Sequence, residues 1–121
     1  MELVAFVATT DPERARAFYS DTLGFELESE NPFALVFRAG ATMLRVTTVE
    51  QFTPQPFTVL GWGVPDIAAA IATLGGRGVA FERFDGMEQD ELGVWRAPGG
   101  ALVAWFKDPD GNVLSVAQFT A

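Results

Sequence analysis

The chain contains no cysteine, no histidine and a single lysine, Lys107, among its 121 residues. Without cysteine there are no disulfides, no thiolate nucleophile and no sulfur ligand for a metal. Without histidine the usual general base near neutral pH is missing, and so is the commonest ligand for zinc, iron and nickel. The anionic ligands that remain are carboxylates, which suit hard ions such as magnesium and calcium. A Schiff-base mechanism has one candidate, Lys107. Bases are scarce overall: 8 Lys and Arg face 16 Asp and Glu, for a formal charge of −8. Such a surface repels nucleic acid and anionic membrane, aids solubility, and favours neutral or cationic partners. Long apolar runs are also missing, since none approaches the roughly 20 residues that cross a bilayer. The opening "MELVAFVATTDPERAR" has no basic segment leading into a long apolar one. The expectation is a soluble cytoplasmic protein.

Apolar and aromatic side chains are plentiful. Hydrophobic residues make up 49% of the chain, with 11 Phe and 3 Trp, enough for a real core in a chain of single-domain length. "ELVAFVAT" (2–9) reads as a strand buried on both faces. Asp11 then offers an N-cap, Pro12 suits the first helical position, and Ala15, Phe18, Tyr19 and Thr22 fall on one helical face. Gly24 ends that helix. "FELESE" (25–30) alternates as a strand with one wet face, and "FALVFR" and "ATMLRVTT" follow as strands joined by a turn at Ala39-Gly40. Residues 50–56 read as a linker, because their prolines exclude a central strand. The pattern then restarts. "FTVLGWGV" (57–64) reads as a strand, Asp66 caps a helix bearing Ile67, Ala70, Ile71 and Leu74, and "GG" at 75–76 stops it. "GVAFERF" (78–84) reads as another strand; a long loop over 85–100 precedes "ALVAWFK" (101–107) and "NVLSVAQF" (112–119), joined by the turn "DPDG".

Each half thus reads strand, helix, strand, strand, strand, and the capping aspartates Asp11 and Asp66 mark an internal repeat of pattern. This predicts an α+β fold of two βαβββ modules, about 1–49 and 57–121, within one domain over 1–121. Two such sheets would curl into a cup-shaped mixed sheet with the helices outside.

The segment "FVATTDPERARAFYSDTLGFEL" (6–27) resembles the opening of vicinal oxygen chelate proteins, and "WFKDPDGNVLSVAQF" (105–119) resembles their closing hairpin. That superfamily includes glyoxalase I, extradiol dioxygenases, fosfomycin-resistance enzymes and bleomycin-resistance proteins. The resemblance spans essentially the whole chain and implies paired βαβββ modules, a cleft, and a homodimer. Metal-dependent members hold a divalent ion with two His and one or two Glu. Carried onto this chain, those positions fall at Val4, Val59, Ser115 and at or beside Arg45. None supplies a usual ligand, and an arginine would repel the ion. The resemblance therefore comes with an expectation of no metal, no cofactor, and none of the family's metal-dependent reactions.

The candidate ligand-binding residues are Arg45, Val59, Trp95, Trp105, Phe106 and Ser115. Arg45 would hold an anionic group if its strand face lines the cup, and otherwise is an exposed arginine or one paired with a glutamate. Ser115 would bond a ligand, or else bond nearby backbone; as a nucleophile it has no histidine to serve as base. Trp105 and Phe106 are neighbours on a strand, so one of them reaches the cup and the other does not. Trp95 lies in the long loop, which fits a lid over an apolar ligand or a segment packed on the domain or a partner. Trp62 is expected in the core. Glu88, Asp90 and Glu91 read as a solvated acidic loop.

Three functions follow. The first is a metal-free protein that binds or sequesters a small, largely apolar or aromatic molecule, in the manner of bleomycin-resistance proteins. The second is an isomerase or lyase without a metal, using Arg45 as electrophile and Ser115 or Glu88 as proton carrier. The third is a dimerising module with a vestigial cleft.

Overall fold

Asp11 and Asp66 begin the two helices, in the computed structural model of the protein, which describes residues 1–119. Each aspartate is extended, and its carboxylate accepts from a backbone N–H three residues on: Arg14 at 3.2 Å and Ala69 at 3.1 Å. The elements run β1 (Val4–Thr9), α1 (Pro12–Arg16), a π-helical continuation (Ala17–Thr22), β2 (Glu26–Glu30), β3 (Ala34–Ala39), β4 (Thr42–Thr48), β5 (Thr58–Gly63), α2 (Ile67–Gly76), β6 (Trp95–Arg96), β7 (Leu102–Lys107) and β8 (Val113–Gln118). The strands form two four-stranded mixed sheets, ordered β1-β4-β3-β2 and β5-β8-β7-β6. In each sheet the first strand pairs parallel with the last, and the other pairs are antiparallel. This is the α+β arrangement read from the repeat.

The chain divides into two compact units. Met1–Pro56 and the turn Asp108–Asn112 make the first; Phe57–Lys107 and the chain from Val113 make the second. In the first unit, α1 and the π turns bury Ala15 and Tyr19, and the Tyr19 ring lies 5.9 Å from that of Phe37. Phe37 pairs across the sheet with Leu44 and Leu27, and Leu35 with Val46, so this face carries the core. In the second unit, α2 buries Ile67, Ile71 and Leu74. The opposing sheet face carries Phe106, Leu114, Val116 and Trp62, and Trp62 meets Phe106 edge-on at 5.8 Å.

Four expectations change or sharpen. First, β1 is not buried on both faces: it is an edge strand, and Val4 and Phe6 are 41% and 55% exposed while Val7 is buried. Second, the alternation in β2 breaks at a bulge between Leu27 and Ser29. Glu30 thereby pairs with Leu35 of the core face and reaches Arg16 of α1 at 3.3 Å. Third, the glycines that end α2 do so as its last two helical residues, Gly75 and Gly76, and the closing bonds come after them, where Gly78 at φ +93° lets its own N–H and that of Val79 bond back to Gly75 and Leu74. Fourth, residues 78–84 form no strand. Phe81 makes a single bridge to Phe106, and the other end of β7 is met by β6 from within the long loop. The strand is interrupted because the chain between those contacts folds on Gln89, whose amide accepts from Phe84 N–H and donates to the carbonyls of Glu82 and Gly93.

The "DPDG" turn holds a buried polar cluster. Gly111 takes φ +90°, and Asp108 and Asn112 bond across the turn at 3.0 Å. The Asp108 carboxylate is buried and accepts from the N–H groups of Asp110 and Asn112, the Asn112 amide and the Tyr19 hydroxyl. Burial and the neighbouring Asp108 charge push the Tyr19 pKa far above its ordinary value, so the phenol stays a donor. The Asn112 amide also reaches the Ala8 carbonyl at 2.9 Å.

Asp110 accepts from the Thr9 hydroxyl and from the backbone N–H and hydroxyl of Thr10. Burial pushes its pKa up, but those donors and the Arg14 guanidinium outweigh burial and hold it below the ordinary 3.8. A depressed carboxyl contributes stability that is complete above the unfolded-state pKa and is lost as pH falls through the folded-state value. The stability advantage of the native protein over Asp110→Asn is therefore expected to hold near neutral pH and to shrink once pH drops below about 3.8. Urea midpoints of both proteins from about pH 7 to about pH 2.5 test this. A gap that does not change with pH would place the effect elsewhere than the carboxylate charge.

Candidate functional site

The face of the second sheet away from α2 is built by register. Ser115 lies between Gly61 on β5 and Trp105 on β7, and Ala117 lies between Gly63 and Val103, which in turn pairs with Trp95. These are the alternate positions to those that contact the helix, so the side-chain period of two places them on the opposite face. Trp105 is fixed there from three sides. Its Nε1 donates to Thr58 Oγ1 at 2.9 Å, the Phe84 ring meets it edge-on at 5.5 Å, and the Trp95 ring lies 5.9 Å away at 37°. Such pairings hold a large flat surface at little entropic freedom.

Ser115 is 9% exposed, yet no described residue bonds its hydroxyl. It sits against Gly61, where an added Cβ would collide with Ser115 Oγ. Glycine therefore leaves the space that the hydroxyl occupies. Val59 is the bulged residue between Thr58 and Leu60, at the exposed edge of the sheet.

Trp95, Trp105 and Ser115 are thus brought to one face. Phe106 is not. It is 0% exposed on the α2 side, packed edge-on against Trp62 and Phe81, and is a core residue. Its place among the candidates is corrected for that reason. Glu88 and Asp90 border a shallow depression with Arg96 and Leu102. Arg96 and Leu102 share the sheet face of Gln118, whose side chain accepts from the first N–H of α2. Glu88 is therefore on the other side of the sheet from Ser115. Asp90 caps the N–H groups of Leu92 and Val94.

Phe84 and Thr58 belong to the aromatic face and were not legible as such. In the sequence Phe84 reads as the end of a strand, and its ring is the one signal it carries. Thr58 acts through its hydroxyl, which its sequence neighbours do not reveal.

In the first unit, Arg45 lies on β4 between Phe6 of β1 and Val36 of β3, on the face away from the helix. It is half-buried, and no described residue pairs with its guanidinium. Val4 shares that face, opposite Met43.

A transition metal of the kind implied by the family resemblance does not fit this donor set. The first unit offers an isopropyl group and a guanidinium, and the second an isopropyl group and a neutral hydroxyl. Among the described residues, no three of His, Cys, Asp and Glu are grouped to hold a metal ion. No helix among them is long and apolar enough to cross a membrane.

Similarity to known proteins agrees with this architecture. No curated protein matches the sequence. The chain superposes on TnmS3, an antibiotic binding protein from Streptomyces sp. CB03234, with TM-score 0.71 and 28% identity, over 99% of this chain and 96% of that one. A glyoxalase/bleomycin resistance protein/dioxygenase superfamily member from Sphaerobacter thermophilus DSM 20745 gives 0.71 and 26%, over 98% and 96%. Lactoylglutathione lyase from Agrobacterium tumefaciens gives 0.74 at 17% identity, over 98% and 92%, a likeness of fold. The profile of the Glyoxalase/Bleomycin resistance protein/Dioxygenase superfamily matches residues 3–116, and the chain belongs to that superfamily.

Proposed function

We propose that the protein binds a small, flat, largely apolar or aromatic molecule without a transition metal, on the sheet face that carries Trp105, Trp95, Phe84 and Ser115. The observation that carries this is the pairing of a fixed aromatic surface with a serine hydroxyl beside it that no described residue bonds. A few placed polar groups in an apolar surround are what small-molecule sites use to orient a ligand. The likeness to an antibiotic binding protein at 28% identity supports binding over turnover.

The metal-free enzyme finds less support. No base bonds the Ser115 hydroxyl, and Glu88 lies beyond the sheet from it. Association as a homodimer is part of the proposal. It is supported by β1, an edge strand, and by the exposed Leu3 just before it. Light scattering on the purified protein checks this.

All three tryptophans belong to the second unit, so intrinsic fluorescence reports on the proposed face. Titration with planar aromatic compounds is expected to change Trp emission saturably. Trp105→Ala is expected to weaken binding by about tenfold or more, the loss of one well-placed aromatic contact. A stoichiometric transition metal in the purified protein would overturn the metal-free reading. Binding that is unchanged in Trp105→Ala would move the site elsewhere, and absence of any ligand would favour the vestigial module.

A further inference from the structure

We infer that the helix-free face of the first unit recognises a carboxylate, with Arg45 binding the acid group of a small organic anion whose aromatic body rests on Phe6. This goes beyond the proposed aromatic site, which carries no charge requirement. Arg45 stands on β4, flanked on both sides by β1 and β3, so its backbone is fixed and its side chain has a set direction. Leu44 and Val46 beside it point into the core, and Arg45 points the other way, among Phe6, Val36, Met43 and Thr47. Phe6 is 55% exposed and is the register partner of Arg45 across β1 and β4, on the same sheet face.

Among the described residues Arg45 is a half-buried cation with no acid partner, whereas Arg96, also without one, is exposed to solvent. Acids outnumber bases 16 to 8. Arg14, Arg16, Arg38 and Lys107 each reach an acid, Asp110, Glu30, Glu28 and Glu82, within 3.1–3.8 Å. Arg83 donates to the Gln89 carbonyl. Arg45 is half-buried and has no acid or carbonyl among the described residues. A guanidinium carries five donors, and partly desolvating it in an apolar surround is costly unless they are met.

The chemistry of a fitting ligand follows from the guanidinium. A planar guanidinium matches a carboxylate through two parallel hydrogen bonds. A single cation with no helix N-terminus beside it suits a monoanion better than a phosphate dianion, which recruits several donors. The adjoining Phe6 ring favours an aryl body.

Calorimetric titration of the intact protein with 1-naphthoate, and with its neutral isostere 1-naphthamide, tests this. Naphthoate is expected to bind about tenfold or more tightly than naphthamide, and less tightly as salt rises. Arg45→Gln is expected to abolish that preference, while Arg45→Lys, which keeps the charge without the fork, retains part of it. Trp105→Ala is expected to leave the ratio intact. Equal affinity for acid and amide, a preference that survives in Arg45→Gln, or no naphthoate binding at millimolar concentration overturns the inference. Trp105-dependent binding of neutral aromatics without acid preference would defeat this inference and leave the proposed aromatic site standing. Arg45-dependent acid preference, together with binding of neutral aromatics that does not depend on Trp105, would do the reverse.

Discussion

Replacing Asp108 by alanine is expected to destabilise the protein by about 3–5 kcal/mol, the range for breaking one side of a buried charged network. The side chain is 5% exposed and accepts four hydrogen bonds, from Asp110 N–H at 3.0 Å, Asn112 N–H at 2.9 Å, Asn112 Nδ2 at 2.9 Å and the Tyr19 hydroxyl at 2.7 Å. Hydrogen bonds to a charged acceptor contribute about 1.5–3 kcal/mol each, and a buried donor left without one carries a desolvation penalty. Tyr19 is the donor most exposed to that penalty, since it is fully buried. Asn112 keeps its bond to Ala8 and loses less. Tyr19→Phe removes the same bond from the other end without stranding a buried donor, and is expected to cost about 1–2 kcal/mol. A double-mutant cycle by urea unfolding should return a coupling between Tyr19 and Asp108 of about 1 kcal/mol or more. An Asp108→Ala loss under about 1 kcal/mol would mean that water replaces the carboxylate.

The second large effect separates two adjacent aromatics. Phe106→Ala is expected to cost about 3–5 kcal/mol, the range for truncating a buried ring where neighbours relax only in part. The residue is 0% exposed between Trp62, at 5.8 Å, and Phe81, at 5.4 Å. Trp105→Ala, one residue away, is expected to cost about 1–2 kcal/mol, since it forfeits one hydrogen bond and two ring contacts on the face away from α2. Its main effect is on ligand binding. Thermal or denaturant unfolding of both variants checks the order. A greater stability loss for Trp105→Ala would reverse the assignment of the two sheet faces.

In that pair local sequence signals leave the facing undetermined. A strand through 101–107 is evident from its composition, and strand geometry requires Trp105 and Phe106 to face opposite ways. Nothing local says which of them meets α2. The register with β8 decides it, by setting Phe106 against Leu114 and Trp105 against Ser115. The long loop was harder. Its length was legible, but its folding on Gln89 depends on carbonyls of Glu82 and Gly93 being brought within 3.0 Å. The link from Tyr19 to Asp108 joins residues 89 apart in sequence, and the two motifs gave no hint that one hydroxyl connects them.

The amino-acid sequence by itself determined the repeat, the two capped helices, the tight turn at Asp108–Gly111, and the poverty of metal donors. These rest on local signals: a carboxylate before a helix, a glycine free to take positive φ, a residue type present or missing. The tertiary structure alone decided the rest. It placed Ser115 beside Gly61 and Arg45 on a sheet face, neither bonded by a described side chain, sent Phe106 into the core, and supplied the fourth strand of the second sheet from Trp95. Each of these depends on which strands pair and in what register, and register is fixed by side chains that are distant in sequence.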